Sequence, residues 1–234
     1  MTHIIEPHVE ALEKRVRIQI GNVFLEGDLK LPENAPGVVL FAHGSGSSRH
    51  SPRNQYVAGV IREAGLGTLL FDLLTHDEER RDAMTGELRF DIALLAKRLI
   101  GATRWLEKQP ETRGLKIGYF GASTGGGAAL VAAAELGDGI AAVVSRGGRP
   151  DLAGDALENV KSPTLLVVGG YDEMVICLND DAYAKLRCEK DFRIVPGATH
   201  LFEEPGKLEQ VAQISAAWFR KHMGSSNGKS KEHE

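Results

Sequence analysis

The sequence predicts an α/β fold: a mostly parallel central sheet flanked by helices on both faces, an N-terminal antiparallel hairpin, and no large lid. Three observations carry that prediction. Short apolar runs alternate with helix-like patterns along most of the 234 residues, which is how a parallel sheet buried on both faces reads. The first run alternates apolar and polar residues about a two-residue turn, as a hairpin does. A serine inside Gly-x-Ser-x-Gly stands where an apolar run gives way to a small-residue helix.

The elements follow in order. Val16, Ile18 and Ile20 alternate, Gly21-Asn22 suits a type II′ turn, and Val23, Leu25, Leu29 and Leu31 resume the alternation. Strands are then expected at Val38 to Ala42, Gly67 to Phe71, Leu115 to Phe120, Ile140 to Ser145, Pro163 to Val168 and Asp191 to Val195. A helix is expected over Asn54 to Ala64. Leu95, Leu99, Ala102 and Leu106 mark the stripe of another, and Leu208, Val211, Ile214 or Ser215, and Trp218 mark that of the last. The run from Arg146 to Lys161 leaves room only for a short excursion. One domain over residues 1–223 is expected, with a polar, disordered tail over 224–234; no internal repeat occurs.

Composition bounds the function. With 42% hydrophobic and 26% charged residues, the chain can bury one sizeable core. A net charge of −4 gives no basic field for nucleic acid, so the partner expected is a small molecule; nothing in the sequence specifies an oligomeric state. No signal peptide and no run of about 18 apolar residues is present, so a cytoplasmic location without membrane contact is expected. Cys177 and Cys188 have no metal-ligand or redox spacing and are expected as free thiols, Cys177 as a small apolar filler. No cofactor or metal is expected; the acidic stretch with His76, Asp77 and Glu78 reads as a solvated loop.

The serine motif, Gly121-Ala122-Ser123-Thr124-Gly125, forces Ser123 into a tight turn that lifts its hydroxyl clear of the sheet. It contains neither Gly-x-Gly-x-x-Gly nor a Gly-Lys-Ser/Thr ending, which argues against a nucleotide loop. A serine hydroxyl is a poor nucleophile near neutral pH and needs a base and an orienting acid. Asp172 follows the Pro163 strand and His200 follows the Asp191 strand through a Pro-Gly turn. Among the other histidines, His3 and His8 precede the first strand, His50 and His76 lie in polar loops, and His222 and His233 fall at the last helix end and in the tail. His43 suits a brace for the loop after its strand better than a base. Glu173 is the rival to Asp172. An oxyanion site is expected from the backbone amides of Ser45, in the His43-Gly44-Ser45-Gly46 loop, and of Thr124, the residue after the nucleophile.

The order Ser123, Asp172, His200, with the His43-Gly44 loop and the Gly121 to Gly125 elbow, resembles the α/β-hydrolase superfamily, and within it the small dienelactone-hydrolase-type branch, up to about Met223. The nucleophile is serine where dienelactone hydrolases proper carry cysteine, which favours a generic serine esterase. The resemblance implies an enzyme cleaving small carboxylic esters through an acyl-enzyme. Lactone, thioester or amide cleavage or acyl transfer on the same triad is the neighbouring alternative, and a non-catalytic binding protein of the same fold is the distant one. Arg49, Arg53, Arg146 and Arg149 read as loop residues after strands, at the edge where ligands bind in such sheets. They could meet an anionic acyl group, or be solvated or paired with Asp77, Glu78, Glu79 or Asp151.

Overall fold

The computed structural model describes residues 11–224. The chain opens with the hairpin β1 (Leu12–Ile20) and β2 (Val23–Leu31), in which Ile20 faces Val23 across the two-residue turn. Gly21 has φ +57° while Asn22 does not adopt a positive φ, the combination a type II′ turn needs. Six further strands complete the sheet: β3 (Gly37–Ala42), β4 (Gly67–Phe71), β5 (Lys116–Ala122), β6 (Ala142–Arg146), β7 (Thr164–Gly169) and β8 (Lys190–Val195). Their order is β1-β2-β4-β3-β5-β6-β7-β8, antiparallel from β1 to β4 and parallel beyond.

The central strands are unbroken apolar runs because both faces are covered. Every residue of β3, β4, β6 and β7 is buried. At the rims the pattern changes: β1 alternates open and more buried positions, and its outward residues include Glu13, Arg15 and Arg17, charges that discourage a further strand from adding to that edge. Helices α1 (Pro52–Glu63) and α6 (Lys207–Met223) cover one face. Helices α3 (Ile92–Leu106) and α4 (Thr124–Leu136) cover the other, with α5 (Glu173–Lys185) beside them. Two apolar cores result, one per face. All four residues of the expected α3 stripe are buried, whereas the α6 stripe is turned: Val211, Ser215 and Phe219 point inward, and Leu208, Ile214 and Trp218 are only half-buried. The Ser215 hydroxyl donates to the Val211 carbonyl at 2.7 Å, which lets a polar residue sit at the centre of that face.

Three expectations need correction. Residues 76–85 form a helix, α2 (His76–Thr85), where a solvated loop was expected. Its surface is almost wholly polar, with Asp82 alone buried, so no apolar stripe announces it. Its capping box does: the Thr75 hydroxyl accepts from the Glu78 amide, and the Glu78 carboxylate accepts from the Thr75 amide. Arg146 and Arg53 are not loop residues; the first ends β6 and the second lies in the first turn of α1. Cys177 is exposed on α5 and fills no core; both cysteines are free thiols. The excursion between β6 and β7 is a 3₁₀ segment over Pro150–Asn159, kinked at Gly154 and packed on α4, and it forms no lid. The expected tail lies outside the described residues apart from Gly224, as do His3, His8 and His233.

Candidate active site

Every expected site residue belongs to the edge of the sheet where the parallel strands end, the edge at which open α/β sheets bind ligands. Ser123 joins β5 to α4 with φ 50° and ψ −123°, a region that side chains rarely enter. Backbone hydrogen bonds hold it there. The Ser123 amide donates to the Arg146 carbonyl at 3.3 Å, and the Ser123 carbonyl accepts from the amides of Gly126 and Arg149 at 2.9 and 3.0 Å. The glycines around it are required by close approach. A Cβ on Gly125 would lie 2.0 Å from the Ala42 carbonyl oxygen, and one on Gly121 would lie 2.5 Å from that of Gly125.

Asp172 is the N-cap residue of α5, and His200 lies in the turn after β8. They meet: His200 Nδ1 and Asp172 Oδ2 are 2.6 Å apart, with Nδ1–H donating to the carboxylate. Two backbone bonds clamp the two loops together, Gly170 N to Val195 O and Tyr171 N to Ala198 O, both 2.9 Å. Asp172 is half-buried while Glu173 is exposed and makes no contact with the ring. The pairing leaves His200 Nε2 as the free nitrogen, the one a base needs. Among the described residues the Ser123 hydroxyl makes no hydrogen bond, so the third member of the set stands unattached.

The loop after β3 is braced by His43. Its Nε2 accepts from the Leu73 amide at 3.1 Å, so the proton is on Nδ1, which donates to the Gly44 carbonyl at 3.0 Å. Burial holds this imidazole below its ordinary pKa. Gly44 then approaches Ser123 so closely that a Cβ would lie 3.1 Å from the serine Cβ. The Ser45 amide does not stand open: it donates to Thr124 Oγ1 at 3.0 Å, a contact between residues 79 apart that no local motif signals. Beside this loop is a cavity of about 730 Å³ bordered by Gly44, Ser45 and Thr124, with Leu73, Leu74 and Leu95 as its apolar part and Arg53 at its margin. That volume is typical of small-molecule sites.

The four arginines divide. Arg49 pairs with Asp72 and lies 3.5 Å from Asp28, and Arg149 makes a two-pronged pair with Asp151 at 2.8 and 2.9 Å. Arg53 pairs with exposed Glu203 at 3.0 Å. Arg146 is buried, donates to Asn54 Oδ1 at 3.2 Å and has no carboxylate partner among the described residues; burial first, and the Arg53 charge second, lower its pKa to about 10, so it stays charged at neutral pH. Among the described residues no group of three or more His, Cys, Asp or Glu side chains is arranged to hold a metal, and no helix is long and apolar enough to cross a membrane.

Sheet order, elbow and loop positions together define an α/β-hydrolase fold. The Dienelactone hydrolase family matches residues 25–222, and the chain belongs to that family. A crystal structure of a dienelactone hydrolase from Anabaena variabilis is 60% identical, covers 91% of this chain and 99% of its own, and superposes with a TM-score of 0.90. An α/β serine hydrolase without lid from Xanthomonas campestris shares the fold at 19% identity and a TM-score of 0.74, over 94% of this chain and 100% of its own. Proteins from two strains of Mycobacterium tuberculosis, each named "Putative phosphoribosyl transferase", are 57% identical over 211 residues, which is 90% of this chain but 47% of theirs. The chain spans about half the length of those relatives.

Proposed function

We propose that this protein is a metal-independent serine hydrolase of small carboxylic esters. The observation that carries the reading is the 2.6 Å bond between His200 and Asp172, at the same sheet edge as a serine on a strained strand-to-helix turn. Ser123 Oγ attacks the ester carbonyl while His200 Nε2 takes its proton. Asp172 orients the ring and stabilises the imidazolium, and His200 then returns the proton to the leaving alcohol. Water, activated by the same nitrogen, releases the acid. Ordering and polarity support one further detail: of the four arginines, Arg53 alone borders the cavity, so it is the one proposed to meet an anionic acyl group.

The name of the Mycobacterium tuberculosis relatives raises phosphoribosyl transfer as a second reading. Half of each relative lies outside the match, and this chain carries an elbow and a His-Asp pair, which suit acyl chemistry. Incubating the protein with a fluorophosphonate and with a panel of short esters separates the readings. Covalent labelling at Ser123, ester turnover insensitive to chelator, and its loss in Ser123→Ala with an unchanged melting temperature are expected. Release of pyrophosphate from phosphoribosyl pyrophosphate, with no ester turnover, would reverse the order.

A further inference from the structure

We infer that Thr124 is a catalytic residue through its side chain, its hydroxyl being the donor that meets the substrate oxygen as negative charge develops there. The inference rests on the proposed hydrolase chemistry and deepens it. The Ser45 amide, expected to point at that oxygen, is engaged with Thr124 Oγ1 at 3.0 Å. The Ser45 amide is therefore spent on the Thr124 hydroxyl, and both residues line the same cavity.

A threonine hydroxyl has one proton to give and two lone pairs to fill. Three other buried threonine hydroxyls spend the proton on a carbonyl, Thr103 on Leu99 at 3.0 Å, Thr112 on Leu106 at 2.6 Å and Thr164 on Ser162 at 2.9 Å, whereas among the described residues Thr68 only accepts, from Arg62, and Ser145 and Ser162 make no side-chain hydrogen bond. Thr124 is equally buried, yet among the described residues its hydroxyl only accepts, and its proton has no acceptor. Its position explains where the proton is needed. Thr124 follows the nucleophile, borders the cavity, and is the first residue of α4, so its own backbone N–H has no partner within the helix. One residue thus offers two donors, the N–H and the O–H. The Ser45 amide holds the hydroxyl in place and polarises it, as one hydrogen bond strengthens the next in a chain. During attack the carbonyl oxygen gains charge and accepts from both donors; no proton is transferred to it.

The opposite role is equally definite: the hydroxyl could merely block Ser45, and its removal would then release a better donor. Thr124→Val keeps the shape and deletes the hydroxyl, and Thr124→Ser keeps the hydroxyl. With wild-type melting temperatures confirmed for both, the inference expects Thr124→Val to lose about 10²-fold or more in kcat, the cost typical of one oxyanion donor, with KM changed little. Labelling of Ser123 by fluorophosphonate should slow in parallel. Thr124→Ser should restore most of both rates. A Thr124→Val enzyme as fast as wild type or faster overturns the inference, as does equal loss in the valine and serine variants. A wild-type protein that forms no Ser123 adduct overturns the hydrolase reading and this inference with it; an adduct at normal rate in Thr124→Val overturns this inference alone.

Discussion

At the scale of single residues, the chemistry depends on who faces whom. Asp172 and Glu173 are adjacent carboxylates, and chain order alone favours the first. The 2.6 Å contact to His200 and the exposure of Glu173 give that preference a geometric basis. Asp172→Asn is therefore expected to lower kcat by about 10⁴-fold, because the amide cannot hold the ring in the tautomer that leaves Nε2 free. Glu173→Gln should change little; steady-state kinetics on the two purified variants with one ester decides, and the reverse ranking would reassign the acid. The arginines teach the complementary lesson. Four cations after strand ends look alike in sequence, yet Arg49 and Arg149 are tied to Asp72 and Asp151, Arg53 remains at the cavity, and Arg146 is buried against Asn54. Arg49 and Arg53 find carboxylates more than twenty residues away, a distance over which pattern reading has no purchase.

At the scale of elements, what can be read depends on whether an element's burial is periodic. The buried strands and α3 were legible because an apolar run or stripe is the direct imprint of a covered face. Helix α2 was not, since its stability comes from a capping box and from Asp82, whose carboxylate accepts from the amides of Leu88 and Arg89 and from the Arg89 side chain. The Thr75-to-Glu78 spacing was the available signal. The packing of α4 on β3 and β5 yields a test of the elbow itself. Gly125→Ala places a methyl 2.0 Å from one backbone oxygen and 2.7 Å from a second, that of His43, so β3 and its following loop must move. Expected are a loss of stability of about 3 kcal/mol or more, the upper range of overpacking, and loss of activity. Gly59→Ala on α1, where the nearest atom is 3.9 Å away at the end of the Arg62 side chain, should instead be neutral or stabilising by up to about 1 kcal/mol. Thermal melts of the pair check both; an unperturbed Gly125→Ala would mean the elbow is looser than its contacts imply.

At the scale of the whole molecule, stability should carry a pH signature from His43. Its neutral ring bridges the β3 loop to Leu73, and burial keeps its folded pKa below the ordinary value near 6.5. The unfolded chain therefore takes up the proton first as pH falls. The stabilisation is fully present above about pH 6.5 and is lost progressively as pH drops from there through the lower folded pKa. His222 is also depressed, by burial, and contributes in the same direction. Urea unfolding at pH 7.5 and 5.5 should show a drop for the wild type that is smaller in His43→Gln, which cannot titrate. Identical drops in the two proteins would remove His43 from the account.

The sequence by itself determined the class of fold, the strand positions and the chain order of Ser123, Asp172 and His200, because each leaves a local mark: an apolar run, a glycine-bracketed turn, a polar residue just past a strand end. Only the tertiary structure decided which histidine nitrogen is left free, which arginines are already neutralised, which face of α6 turns inward, and that the Ser45 amide is engaged by the Thr124 hydroxyl. Those outcomes arise from pairs brought together across the sheet edge. Their energies depend on distances and burial set by the packing of both faces at once, and no segment encodes them alone.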